Sequence, residues 1–137
     1  MKHYQGNFHK DCPGKEKWVV GHFMGDLRKT ENMEVKFWKF KKGKPPHKPK
    51  HQKEAVEFTI ITRGKISGQI DGKRVSFRAG DYVLIPPGIK SNFPSNVLEN
   101  AAGITVKAPS VEGDTVRKEQ QQRVAHEKRR TRRRTET

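Results

Sequence analysis

Between residues 17 and 108 the chain alternates apolar and polar side chains in short runs, the period-two signature of strands half-buried in a sheet. Residues 17–24 and 33–40 are rich in aromatic and β-branched side chains, which pack well on a pleated surface. Residues 54–62 and 65–70 read as two further strands with Arg63-Gly64 as the turn between them. Asp71-Gly72 follows, flanked by alternating apolar positions on both sides, which is a strong local hairpin signal. Ala79-Gly80-Asp81 turns the chain into a strand at residues 82–85, and residues 102–108 supply a late one. Many short strands, regular turns and no internal helix predict an all-β sandwich or barrel. No repeat of fixed period is present.

The same alternation sorts side chains by face. In an extended strand His51, Lys53, Ala55, Glu57 and Thr59 share one side, and Val56, Phe58 and Ile60 share the other. One face is therefore chemically equipped and the other is apolar and needs cover. Lys53 and Glu57 lie roughly 13 Å apart along a straight strand, so they meet one ligand only if the strand bends or bulges between them.

Composition adds bounds to this picture. The chain has 137 residues, enough for one domain and one core. Its hydrophobic fraction is 31% and its mean hydropathy is −1.01, so part of the length is expected to lie outside the core. The formal net charge of +15 has two sources. Residues 117–137 hold nine of the thirty Lys and Arg with almost nothing apolar, which predicts a flexible basic tail able to hold acidic surfaces or nucleic acid. No aromatic residue interleaves that run to stack on bases. Residues 36–53 carry eight lysines with Pro45, Pro46 and Pro49, which predicts a loop. Such a loop is either a solvated lid or an electropositive rim that steers anions. The single cysteine, Cys12, fits a reducing compartment, and no apolar run approaches the roughly 18 residues of a membrane helix. The start lacks the apolar region of a secretion signal, so a cytoplasmic protein is expected.

Two stretches carry a family likeness. The first is His51-Gln52-Lys53, then Glu57, then Gly64; the second is Ala79-Gly80-Asp81-Tyr82-Val83-Leu84-Ile85-Pro86-Pro87-Gly88. Together they resemble the paired motifs of the cupin superfamily. The resemblance implies a jelly-roll β-barrel, commonly with a metal held on three histidines and a glutamate. In this alignment Lys53 stands where the second histidine would be and Ser91 where the third would be. A protonated lysine repels a divalent cation, and serine is a poor ligand for transition metals.

The favoured reading is thus a pocket for a small polar, anionic or sugar-like ligand, with no metal. Lys53 supplies positive charge, and Glu57, Ser91 and Asn92 supply hydrogen bonds; the resemblance to metal-free cupins that isomerise or epimerise nucleotide-linked sugars implies His51 as a base with Tyr82 as the acid. The alternatives are a metal-dependent isomerase or oxygenase using His47, His51 and Glu57 with iron, manganese, zinc or nickel, and a basic adaptor that binds nucleic acid through its tail. Lys53 and Glu57 can also form a purely structural ion pair. The expected organisation is an N-terminal arm over residues 1–16, a barrel over 17–110 and the tail over 111–137. The apolar strand faces predict a homodimer to which residues 17–40 contribute.

Overall fold

Among the described residues eight strands form one antiparallel sheet that folds over on itself, with one four-residue helix packed on its outside. In the computed structural model residues 3–12, 16–44 and 49–117 are described. The helix α1 is Phe8–Asp11; the strands are β1 (Glu16–Val20), β2 (Glu34–Phe40), β3 (Lys50–Gln52), β4 (Val56–Ile70), β5 (Lys73–Arg78), β6 (Tyr82–Ile85), β7 (Ser91–Ala108) and β8 (Thr115–Arg117). Strands β4 and β7 are long and belong to both halves of the barrel. One half runs β1-β2-β7-β4-β6 and the other β8-β3-β7-β4-β5. Register shifts in β4 between Ile61 and Gln69 mark where the strand bends from one half to the other.

This is the all-β, jelly-roll barrel expected from the sequence, with several boundaries moved. Residues 54–62 and 65–70 are not two strands but one, β4, because Arg63-Gly64 is a bulge rather than a turn. Gly64 has φ +79°, and a Cβ there would collide with the Asn100 carbonyl. The late strand begins at Ser91, eleven residues before the expected start. Within the supposed lysine loop, Lys50–Gln52 pairs with both β7 and β8. Strand pairing reaches Arg117, so residues 111–117 belong to the barrel and not to the tail. His47 and residues 118–137 lie outside the described residues. Among the described residues no helix is long and apolar enough to cross a membrane.

The apolar core sits between the halves: Trp38, Ile61, Ile66, Ile85, Phe93, Val97 and Ala101 are buried together. Trp38 lies against Gly103, where any Cβ would strike the indole ring, and its Nε1–H donates to Thr105 Oγ1 at 3.0 Å. The half built on β2, β7 and β4 then departs from ordinary amphipathic order. Glu34, Lys36, Glu57, Thr59, Thr105 and Lys107 point inward and are buried. Val35, Phe37, Phe58 and Val106 on the alternate positions are half-buried, and Ile60 and Ile104 are exposed. Helix α1 covers part of this outer apolar face, with the Phe8 ring 4.4 Å from Phe37.

Candidate functional site

The inward polar positions fall in register across adjacent strands. Glu34, Lys107 and Glu57 occupy one row across β2, β7 and β4, an alternation of negative, positive and negative side chains. Lys36, Thr105 and Thr59 occupy the next row, with Thr59 Oγ1 and Thr105 Oγ1 hydrogen-bonded at 2.9 Å. From the facing half, Lys50 reaches Glu57 with Nζ 3.5 Å from Oε1. Lys36, Lys50 and Lys107 are 8%, 8% and 5% exposed, which is exceptional for lysine and requires compensating charge. Glu34 and Glu57, at 9% and 4%, supply it.

The energetics of this cluster are lopsided. Burial alone would raise the Glu57 carboxyl, but Lys50, Lys107 and Lys36 outweigh it and hold the group below its ordinary value. Burial lowers Lys107 to about 8, with Lys50 and Lys36 adding repulsion and Glu57 and Glu34 only partly offsetting it. Among the described residues three ammonium groups thus meet two carboxylates here, and Glu57 is shared by all three lysines. The far end of the row is braced: Ser110 Oγ donates to Glu34 Oε1 at 3.4 Å and lies 2.7 Å from His22 Nδ1.

A cavity of about 20 Å³, room for little more than one water, opens on this cluster. Its polar wall is Lys36, Lys50, Glu57, Thr59 and Thr105, and its apolar wall is Trp38, Phe40, Phe93 and Pro94. On β3, Gln52 is 3% exposed; its Oε1 accepts from Thr115 Oγ1 at 2.8 Å, while its Nε2 has no partner among the described residues. Ser91, 3% exposed, is the cross-strand partner of Lys50.

This arrangement corrects the expected sharing of faces. Lys50 and Gln52 point inward, so His51 between them points outward and is half-buried beside Val116. Lys53 is exposed. The cause is a bend at residues 53–55. Asp114, 5% exposed, accepts from Glu54 N–H at 2.8 Å and Ala55 N–H at 3.1 Å, and its carbonyl accepts from Lys53 N–H at 3.0 Å. The bend inserts one residue, so even positions face inward before it and odd positions after it. Glu57 and Ser91 are buried inside, with Lys50 and Gln52 in the places that unbroken alternation gives to His51 and Lys53. Tyr82, 69% exposed, stands on the outer face of β6 with its ring 5.9 Å from Phe58. Asn92 lies on the outward-pointing positions of β7, half-buried, with Oδ1 unpartnered among the described residues.

The chemistry here does not suit the divalent cation that the family likeness brings to mind. The inward set is an ammonium, an amide, a carboxylate and a hydroxyl, and the carboxylate is already neutralised by Lys50. No group of three His, Cys, Asp or Glu residues placed to hold a metal exists among the described residues.

The profile of the cupin domain family matches residues 36–105, just over half of the chain. The chain belongs to the cupin family. Among solved structures, this cupin is similar to the Streptomyces protein Pac13 with uridine, at 13% identity and TM-score 0.63 over 85% of this chain and 91% of that one. Pac13 is described as a nucleoside dehydratase. KdgF from a Halomonas species superposes with TM-score 0.60 at 17% identity over 82% of this chain and 97% of that one. A Bacteroides fragilis cupin protein does so with TM-score 0.61 at 23% identity over 82% and 92%. At these identities the likeness concerns the fold. No curated protein matches the chain.

Sequence reading missed Lys36, Lys50, Gln52, Lys107 and Glu34. In β2 and β7 the alternation that places them together is legible, but a charged face is ordinarily assigned to solvent. The bend that brings in Lys50 and Gln52 has no local signal, since its acceptor Asp114 is some sixty positions away in sequence.

Proposed function

We propose that this cupin binds a small organic anion in its barrel, with Lys50 taking the electrostatic part a metal ion would otherwise play. The observation that carries the reading is the buried Lys50–Glu57 contact at 3.5 Å, at the wall of a cavity that Lys36 also lines, with Lys107 acting on the same carboxylate from the neighbouring strand. A carboxylate entering there meets the buried ammonium group of Lys50 in a low-dielectric setting, where charge-assisted hydrogen bonds are strong. The cavity admits only the charged end of such a molecule, so the remainder, sugar-like or aliphatic, rests against Phe40, Phe93 and Pro94. Gln52 Nε2 and Ser91 Oγ add hydrogen-bonding capacity on the inner face beside Lys50. The conceivable acid–base pair of His51 and Tyr82 gains no support, since neither lines the cavity. The barrel is thus a binding pocket. The protein acts as a homodimer through the outer apolar strip of Ile60, Tyr82, Leu84 and Ile104, beside the part of that face that α1 already covers.

The test is thermal unfolding against a series of acetate, pyruvate and hexuronate concentrations. Saturable stabilisation by at least one carboxylate in the native protein and in Lys53→Ala, lost in Lys50→Gln, is the expected result. Equal stabilisation of Lys50→Gln, or none in the native protein, overturns the reading.

A further inference from the structure

The outer surface of the second half, opposite in character to the strip just described, has no role in anion binding within the barrel. Residues 1–116 hold 21 of the 30 Lys and Arg but only 12 of the 15 Asp and Glu, so the basic excess is not confined to the C-terminal segment. On β5, β4 and β7 the outward positions form three cross-strand rows. These are Arg78, Lys65 and Glu99; Ser76, Ser67 and Asn96; Arg74, Gln69 and Asn92. Lys65 and Arg78 are thus like charges placed directly opposite one another, which costs a sheet stability. Glu99 is the one carboxylate in these three rows, while Asp71 and Asp81 sit in the flanking turns. Arg74 and Arg78 are exposed and lie about 13 Å apart along the strand.

Between the cations the face carries only neutral hydrogen-bonding groups: two serine hydroxyls and the amides of Gln69, Asn92 and Asn96. The Asn92 Oδ1 is shielded from solvent and has no partner among the described residues. No apolar side chain stands in these rows to enter a lipid surface, and no aromatic one to stack on a base. Cations interspersed with hydroxyls and amides suit a chain of phosphodiesters and sugar hydroxyls, contacted through its backbone and without base readout. The same half ends at its other edge in β8, where Arg117 leads into residues 118–137, which add eight more Lys and Arg. We propose that this polar face of β5, β4 and β7 is a sequence-independent docking surface for single-stranded nucleic acid, held through phosphates by Lys65, Arg74 and Arg78.

Fluorescence anisotropy of a labelled thymidine oligonucleotide with the full chain tests it. Lys65→Glu/Arg74→Glu/Arg78→Glu should weaken binding about tenfold or more and make the log–log salt dependence shallower by about 2, the share of three phosphate contacts to a single strand. Lys10→Glu/Lys29→Glu/Lys39→Glu, three exposed lysines off this face, controls for net charge and should lose clearly less. The single change Arg78→Glu separates binding from folding. It converts a like-charge pair into an opposite-charge one, so it should raise the melting temperature while weakening the complex. Triple-variant affinity within twofold of the native protein overturns the proposal, as does an equal loss in the control. Equal competition by polyglutamate or by phosphatidylserine vesicles also overturns it, by showing undirected charge attraction.

Discussion

Lys107 offers a sharp test of the buried charge cluster. Its amine is held at about 8, against an ordinary 10.5, mainly by burial and by the neighbouring Lys50 and Lys36. Between those two values the folded protein has released this proton while the unfolded chain retains it. Raising the pH through that window therefore favours folding, in contrast to a lysine stabilised by a partner. Each unit of separation is worth about 1.4 kcal/mol, so going from about pH 7 to about pH 9.5 should stabilise the native protein by about 2 kcal/mol through this residue. Urea unfolding at the two pH values measures it; with a denaturant slope of roughly 2 kcal/mol per molar, the midpoint moves by about 1 M. Lys107→Met keeps the length and removes the titrating group. Its absolute stability is not the readout, because Glu34 and Glu57 also lose a neighbour. The readout is the difference between the two pH values, which should shrink by about 2 kcal/mol relative to the native protein. If the native and Lys107→Met stabilities change in parallel from neutral to alkaline pH, the amine is not held low and the account of the cluster fails.

Other outcomes follow from the same geometry. Asp114→Ala removes two charge-assisted hydrogen bonds to buried or part-buried amides and should cost about 3 kcal/mol in chemical denaturation, well beyond a surface change. Lys50→His/Gln52→His/Ser91→His, joined to Glu57, should create a metal site visible as a cobalt(II) absorption band. Lys53→His alone should give none, because Lys53 is exposed. Light scattering of the native chain should return twice the 15.8 kDa mass, and Leu84→Glu should lower it to that of one chain; an unchanged mass would remove the outer strip from the interface.

The sequence was legible where structure is local. The Asp71-Gly72 turn lies where it was read, between β4 and β5, and Asp71 adopts φ +52° as that turn requires. The Gly80 and Gly88 turns bracket β6 as the motif implies. It was illegible where a distant residue decides. Gly64 looked like a turn because a glycine after an arginine does; only the approach of Asn100 from β7 shows that it lies in a bulge of an unbroken strand. Glu57 faces inward, and its ion-pair partner is Lys50 rather than Lys53, since period-two counting assumes an unbroken strand. Lys107 escaped notice for a different reason. Ile104 and Val106 beside it look like core residues, and here they face outward.

The bend clamped by Asp114 has an evolutionary corollary. Its effect is that of a frame offset: everything before it is read on even positions and everything after it on odd ones. Loss of the Asp114 clamp at unchanged chain length would remove the offset without touching any pocket side chain. With the strand run straight, His51 and Lys53 would rotate inward as Lys50 and Gln52 rotated out, exchanging an ammonium and an amide for an imidazole and an ammonium. A one-residue deletion at Glu54 would do the reverse, fixing Lys50 and Gln52 inward on an unbroken alternation. A single change remote from the pocket therefore moves a cupin of this kind between chemistries, where substitutions at the pocket itself would need several.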